Sequence, residues 1–126
     1  MEKSAISTKK APGAIGPYSQ GIKGNAMAFV SGQLPVDPAT GKFAAEDIAG
    51  QTKQSIENVQ AVLEAAGSSL DKVVKTTVFI QHMDDFAAMN EVYAKFFTGT
   101  CPARSCVEVA KLPKGALVEI EAIALL

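Results

Sequence analysis

The segment 73–80, VVKTTVFI, constrains the fold of this chain more than any other part of its sequence. Seven of its positions carry β-branched or aromatic side chains, which favour strands. Successive side chains of a strand point to opposite faces, and both faces carry apolar residues here. We therefore predict a strand that must be covered on both sides, which helices packed on a single face cannot achieve.

Helical patterns flank this strand on both sides. Apolar residues recur every three or four positions from about 46 to 66, which predicts a helix with Gly67 as its C-terminal cap. A second helix should begin near Asp84 or Asp85, either of which could cap it. It carries an aromatic stripe that ends before Gly99, and we interpret that stripe as core.

Further strands are predicted before and after these helices. Residues 26–31 read as a strand, preceded by the Gly- and Pro-rich loop 11–18. Two last strands, at about 104–110 and 117–125, are separated by the turn 111–116.

Right-handed crossovers would place both helices on one side of a mixed sheet. The predicted fold class is therefore an α+β two-layer sandwich, with the second face of the sheet bare. A further copy of the chain is the simplest cover for that face, so we expect a homo-oligomer.

The length and composition of the chain limit its domain number and the classes of partner and site that it can have. A chain of 126 residues is predicted to form a single domain over 1–126. A net charge of −1 without a basic stripe makes a nucleic acid an unlikely partner. No membrane span or apolar signal core is evident, so we expect a cytoplasmic protein. The spacing of Cys101 and Cys106, with the single His82, predicts neither a metal site nor a disulfide.

Arg104 is the only arginine among the twelve basic residues of the chain. Its planar guanidinium can grip a carboxylate through two parallel hydrogen bonds, which a lysine ammonium cannot do. A lone arginine beside a predicted strand indicates an anion site. The competing interpretation is a structural ion pair in a chain that otherwise uses lysine.

Strand alternation places charged side chains on single faces of the last two strands. Arg104, Cys106 and Glu108 share one face, and Glu119 and Glu121 share another. Glu119 is the better functional candidate. We assign Glu108 and Glu121 to contacts with solvent or lysine, because unpaired buried carboxylates are costly.

Arg104 and Glu119 could share one site in either of two arrangements. In a simple hairpin, Arg104 would lie opposite Ile123, roughly 13 Å along the strand from the position opposite Glu119. One small substrate could not reach both side chains. Either the two strands are not neighbours, or Arg104 of one chain and Glu119 of another share a site between subunits.

The sequence lacks the motifs of nucleotide-dependent enzymes and of enzymes with a nucleophile triad. The sequence has neither a dinucleotide-binding nor a phosphate-binding glycine loop, so no nucleotide cofactor is expected. No nucleophile triad can be assembled around His82. An arginine, a carboxylate and a tyrosine remain. Together they suffice to add water to a small, reactive substrate that bears a carboxylate.

The sequence resembles the RidA or YjgF family, the enamine/imine deaminases, over nearly its whole length. The matching segments are 11–21, 31–36, 75–80, 86–93, and 102–105 through 119–122. The resemblance implies a chorismate-mutase-like fold, a homotrimer with three sites between subunits, and no cofactor or metal. It further implies hydrolysis of 2-iminobutanoate and 2-iminopropanoate, products of pyridoxal-phosphate-dependent dehydratases, to 2-oxo acids and ammonia, which removes the reactive 2-aminoacrylate.

The resemblance also implies roles for individual residues. Arg104 would clamp the substrate carboxylate, and Glu119 would position and activate the water. The pocket would be lined by Tyr18, Ser31, Gly32, Asn90 and Cys106, the last through backbone groups in preference to a thiolate. Members of the family are also described as ribonucleases or translation inhibitors and as ligand-binding or chaperone-like proteins, which is the alternative function.

Overall fold

The computed structural model describes residues 2–126 and contains a six-stranded sheet and two α-helices. The strands are β1 (Ser4–Ile6), β2 (Gly21–Gly24), β3 (Met27–Gln33), β4 (Val73–Ile80), β5 (Ala103–Glu108) and β6 (Val118–Leu125). The helices are α1 (Ile48–Ala65) and α2 (Phe86–Phe96), with short 3₁₀ turns at Leu70–Lys72, Met83–Asp85 and Pro113–Gly115.

The sheet is mixed, and its strand order is β1-β2-β3-β6-β4-β5. Only β4 and β5 run parallel, joined by the crossover through α2, while all other neighbours are antiparallel. Strand β4 therefore lies between β5 and β6. The simple hairpin is excluded, because the last two strands of the sequence are not neighbours.

Both helices cover the same face of the sheet. Buried side chains of β4 and β6, such as Val78 and Ile120, pack in one cluster with Ile56 and Leu63 of α1 and Met89 of α2. The α+β two-layer sandwich with a mixed sheet is thus confirmed. The aromatic stripe of α2 also belongs to this core, as the sequence pattern predicted.

The opposite face of the sheet, called the open face below, is only partly covered. Strand β4 turns Thr76, Val78 and Ile80 to the helices, where all three are buried, and its other face is partly exposed. On the open face, Phe29 of β3 is 43% exposed and Leu125 of β6 is 49% exposed. Within one chain, the apolar second face predicted for this strand therefore has no helix against it.

The boundaries of the two helices and of strands β3 to β6 follow the predictions closely, with one correction, whereas strand β2 was not predicted. Helix α1 ends beside Gly67, whose φ of +84° places it in the left-handed region that suits a C-terminal cap. Helix α2 begins at Phe86, as expected. Asp85 stands at its N-cap but makes no side-chain capping bond, because a 3₁₀ turn over Met83–Asp85 leads into the helix. The prediction of an aspartate side-chain cap was wrong.

Candidate active site

Arg104 lies on the helix-covered face of β5 and is held by one face of α2. Its Nη1 group donates a hydrogen bond of 2.7 Å to Oδ1 of Asn90. Its Cζ atom lies 4.8 Å from the ring centroid of Tyr93 and 5.4 Å from that of Phe86. We call these four residues the Arg104 cluster. Positions 86, 90 and 93 share one face of a helix, so α2 presents them to the guanidinium together.

The Arg104 cluster leaves the guanidinium available to a ligand. Its hydrogen-bond partner is a neutral amide oxygen, and that bond uses one of five N–H donors. Arg104 is only partly buried, and it borders a cavity of about 400 Å³ between α2 and the segment before β5. Asn90, Tyr93 and Cys101 line the same cavity. A cation with free donors beside a cavity can bind a carboxylate.

Cys106 follows Arg104 on the same face of β5 and is partly buried. Burial raises the pKa of its thiol, and the nearby Arg104 charge opposes this shift only in part. The raised pKa favours the thiol over the thiolate. This agrees with a role through backbone groups, as the resemblance implied.

Glu119 lies on β6 and faces the open side of the sheet, close to Gly32 of β3. An ideal Cβ built on Gly32 would lie 2.7 Å from Oε2 of Glu119 and 2.9 Å from its Cδ. Any side chain at position 32 would therefore displace the carboxylate. Gly32 and Glu119, with Tyr18 and Ser31, form what we call the Glu119 cluster.

The environment of Glu119 changes its acidity. Partial burial raises the pKa of its carboxyl above the usual 4.5, and the negative charge of Glu121, on the same face, raises it further. A carboxyl with a raised pKa accepts a proton more readily than an exposed one. Such a group is suited to take a proton from water and return it within one reaction.

The loop before β2 brings Tyr18 and Ser31 to this end of the sheet. Ser31 donates from Oγ to the carbonyl of Ser19 at 2.6 Å, and its N–H donates to the carbonyl of Gln20 at 2.9 Å. Tyr18 is 52% exposed and lines a cavity of about 460 Å³ together with Gly32 and Ile15. The loop thus forms part of a cavity that reaches Gly32, the residue against which the Glu119 carboxylate lies.

One chain does not bring the two clusters together. In the sheet, Arg104 pairs with Thr76 and Glu119 pairs with Phe79, on opposite sides of β4. The two backbones are therefore about 10 Å apart along the strands and about 10 Å apart across them. Thr76 and Phe79 also point to opposite faces, so the side chains of Arg104 and Glu119 do as well. Gly32 lies against Glu119, adjoins Ser31 and shares a cavity with Tyr18, whereas Asn90 and Cys106 lie beside Arg104.

Sequence reasoning missed three supporting residues. Phe86 and Tyr93 were assigned to the core alone, although they also contact Arg104. Their spacing about Asn90 was a usable signal. Gln20 is buried, accepts a hydrogen bond from the Thr8 N–H at 2.7 Å and donates to the Pro12 carbonyl at 2.7 Å, which ties down the loop. No periodic pattern could indicate that role.

Comparison with known proteins identifies the family. Residues 8–126 match the family model described as Endoribonuclease L-PSP. The chain belongs to this family. It is the RidA or YjgF family that the resemblance indicated.

Members of the Endoribonuclease L-PSP family are similar to this chain over almost its whole length. A 2-iminobutanoate/2-iminopropanoate deaminase of Salmonella typhimurium is 56% identical over 122 residues, covering 94% of each chain. A RutC family protein of Pyrococcus horikoshii is 55% identical over 97% of each chain. The crystal structure of Escherichia coli TdcF with bound serine has a TM-score of 0.93 at 52% identity, covering 98% of each chain.

Residues 2–126 contain neither a membrane-spanning helix nor a cluster of metal ligands. None of the helices there is long and apolar enough to cross a membrane. Nor do the His, Cys, Asp and Glu side chains of this part of the chain form a group of three that could hold a metal ion.

Proposed function

We propose that this protein hydrolyses 2-iminobutanoate and 2-iminopropanoate to the corresponding 2-oxo acids and ammonia. The observation that carries the proposal is the 56% identity to a deaminase of that name, in a chain whose only arginine is held by a neutral amide beside a cavity. The bound serine of the similar TdcF structure supports a small ligand that bears a carboxylate.

In the proposed reaction, Arg104 binds the substrate carboxylate and orients the C=N bond. Glu119 takes a proton from a water molecule while the water oxygen bonds to the imine carbon. That proton is returned to the nitrogen, which gives a carbinolamine. A second proton then passes from the carbinolamine hydroxyl to the nitrogen, the C–N bond breaks, and ammonia leaves as the C=O bond forms. The raised pKa of Glu119 supports both its accepting and its returning a proton.

The active site is proposed to lie between subunits of a homotrimer. Within one chain the Arg104 cluster and the Glu119 cluster face opposite sides of the sheet. A ring of subunits lets the Arg104 cluster of one subunit meet the Glu119 cluster of its neighbour. The exposed apolar side chains of the open face, including Phe29, Val107 and Leu125, support burial of that face against other copies.

A coupled assay tests the proposed activity. A threonine dehydratase generates 2-iminobutanoate, and release of 2-oxobutanoate is followed with and without this protein. Faster release is expected when the protein is present. An unchanged rate, at protein concentrations where the similar Salmonella deaminase accelerates release, would refute the assignment. Binding of 2-oxobutanoate without acceleration would instead favour a ligand-binding protein.

A further inference from the structure

Tyr93 contacts Arg104 with the face of its ring and Thr76 with its hydroxyl group. Its ring lies under the guanidinium, 4.8 Å from Cζ to the centroid, and its other neighbour is Phe97, at 4.5 Å between ring centroids. The side chain is only 7% exposed. A cation over the face of a tyrosine ring is attracted by the ring quadrupole, more strongly where water is excluded.

The hydroxyl of Tyr93 is anchored to the strand beside Arg104. It shares a hydrogen bond of 2.7 Å with Oγ1 of Thr76, which is fully buried on β4. Thr76 is also the residue that pairs with Arg104 between β4 and β5. The hydroxyl end of the Tyr93 ring is therefore fixed to Thr76, and the face of the ring supports Arg104, the residue that pairs with Thr76.

The chemistry of the hydroxyl pair keeps this anchor neutral. Burial raises the pKa of the Tyr93 hydroxyl, with smaller opposing contributions from the Thr76 hydrogen bond and from Arg104. The tyrosine consequently stays protonated and does not form an ion pair with Arg104. Asn90 and Tyr93 thus hold the guanidinium through neutral groups and leave its charge for a ligand.

We propose that Tyr93 is a positioning residue, whose ring, anchored through Thr76, sets the orientation in which Arg104 receives a carboxylate. The inference rests on the proposed function, in which Arg104 is the substrate clamp. An arginine side chain has many rotamers, and ordering it before the substrate arrives lowers the cost of binding. Tyr93 need not touch the substrate to have this effect.

The test compares Tyr93→Leu, Tyr93→Phe and a control, Met89→Ala, by melting temperature, 2-oxobutanoate Kd, KM and kcat. Met89 is fully buried on the same helix and belongs to the hydrophobic core. Removing the ring should raise Kd and KM by about 10-fold, in line with a partly desolvated cation–π contact. The kcat should change by less than about threefold, because Glu119 is untouched. Met89→Ala should lower the melting temperature and leave Kd unchanged.

A paired variant separates the anchor from general stability. Tyr93→Phe alone leaves the Thr76 hydroxyl buried without a partner and should lower the melting temperature. Adding Thr76→Val removes that penalty and should restore it. We expect Kd to stay raised by about threefold in the double variant, because the ring has lost its tether. This variant also tests the inference if Tyr93→Leu does not fold.

Each outcome has one meaning. A folded Tyr93→Leu variant that binds 2-oxobutanoate within about twofold of the wild type overturns the positioning role. So does a double variant with wild-type Kd. If the wild-type protein binds 2-oxobutanoate but hydrolyses no imine, the proposed deaminase activity is refuted. The comparison of Kd values for the Tyr93 variants stays valid in that case. A wild-type protein that binds no 2-oxo acid overturns the positioning role of Tyr93, while the coupled assay alone decides the deaminase activity.

Discussion

The Arg104 cluster and the Glu119 cluster are positioned by different parts of the molecule. Side chains of one helix hold Arg104, through an amide and two aromatic rings. Glu119 depends mainly on the main chain, since Gly32 leaves the space in which its carboxylate lies. The comparison shows two ways to position a charged side chain. Contacts from neighbouring side chains hold Arg104, whereas the missing side chain of Gly32 leaves room for Glu119. The two clusters should therefore respond differently to mutation.

The largest effect is expected at Glu119. Glu119→Gln keeps the shape of the side chain and removes its ability to accept a proton. Turnover should fall by about 10²- to 10⁴-fold, while binding of 2-oxobutanoate through Arg104 is retained. Deaminase turnover and ligand affinity are measured on the same preparation.

Glu121→Gln is the matched control for this change, because it lies on the same face of β6. An equal loss in both variants would show that the wrong carboxylate has been assigned. The pH profile adds a second criterion. Wild-type turnover should decline as pH falls through the pKa of Glu119, which burial raises from its usual value, and Glu119→Gln should lack this decline.

Gly32→Ala tests placement by an omitted side chain. The new methyl group would lie 2.7 Å from Oε2 of Glu119, which must move away. Because that atom ends a flexible side chain, the melting temperature should change little, while turnover falls by about 10²-fold through displacement of the base. Gly24→Ala is the control, since its nearest contact would be an ordinary 3.5 Å. Wild-type turnover in Gly32→Ala would contradict the proposed geometry.

Arg104→Lys keeps the positive charge and removes the planar fork. Loss of charge-assisted, paired hydrogen bonds should lower kcat/KM by roughly 10- to 10²-fold. Circular dichroism should show an unchanged fold. A folded lysine variant with the wild-type rate on 2-iminobutanoate would remove Arg104 from the role of carboxylate clamp.

Mixed oligomers test whether the two clusters meet between subunits. Arg104→Lys and Glu119→Gln chains are co-expressed with different tags, and assemblies that carry both tags are purified. In a trimeric ring, each mixed assembly has one intact site of three, so activity should recover to about a third of the wild-type value. If both residues of a site came from one chain, every site would carry a lesion and activity would not recover. Light scattering on the same sample gives the subunit number.

Local patterns predicted the elements of this fold well. The 3.6-residue periodicity of α1 and the β-branched run of β4 depend on neighbours within the same segment, so both were read from the sequence. Arg104 and Glu119 were selected by residue type and strand alternation, which are local as well. The resemblance added the pocket residues Tyr18, Ser31, Gly32, Asn90 and Cys106, whose roles stay predictions; the Gly32→Ala variant tests one of them.

Tertiary structure decided the order of the strands in the sheet and which residues belong to the Arg104 cluster and to the Glu119 cluster. The insertion of β4 between β5 and β6 depends on hydrogen bonds between distant segments, which no local pattern encodes. That insertion separates Arg104 from Glu119 within the chain. The sequence alone determined which side chains could act and which elements carry them. Only the packing of α2 against β5, and of Gly32 against Glu119, decided their orientation, because both contacts join residues far apart in sequence.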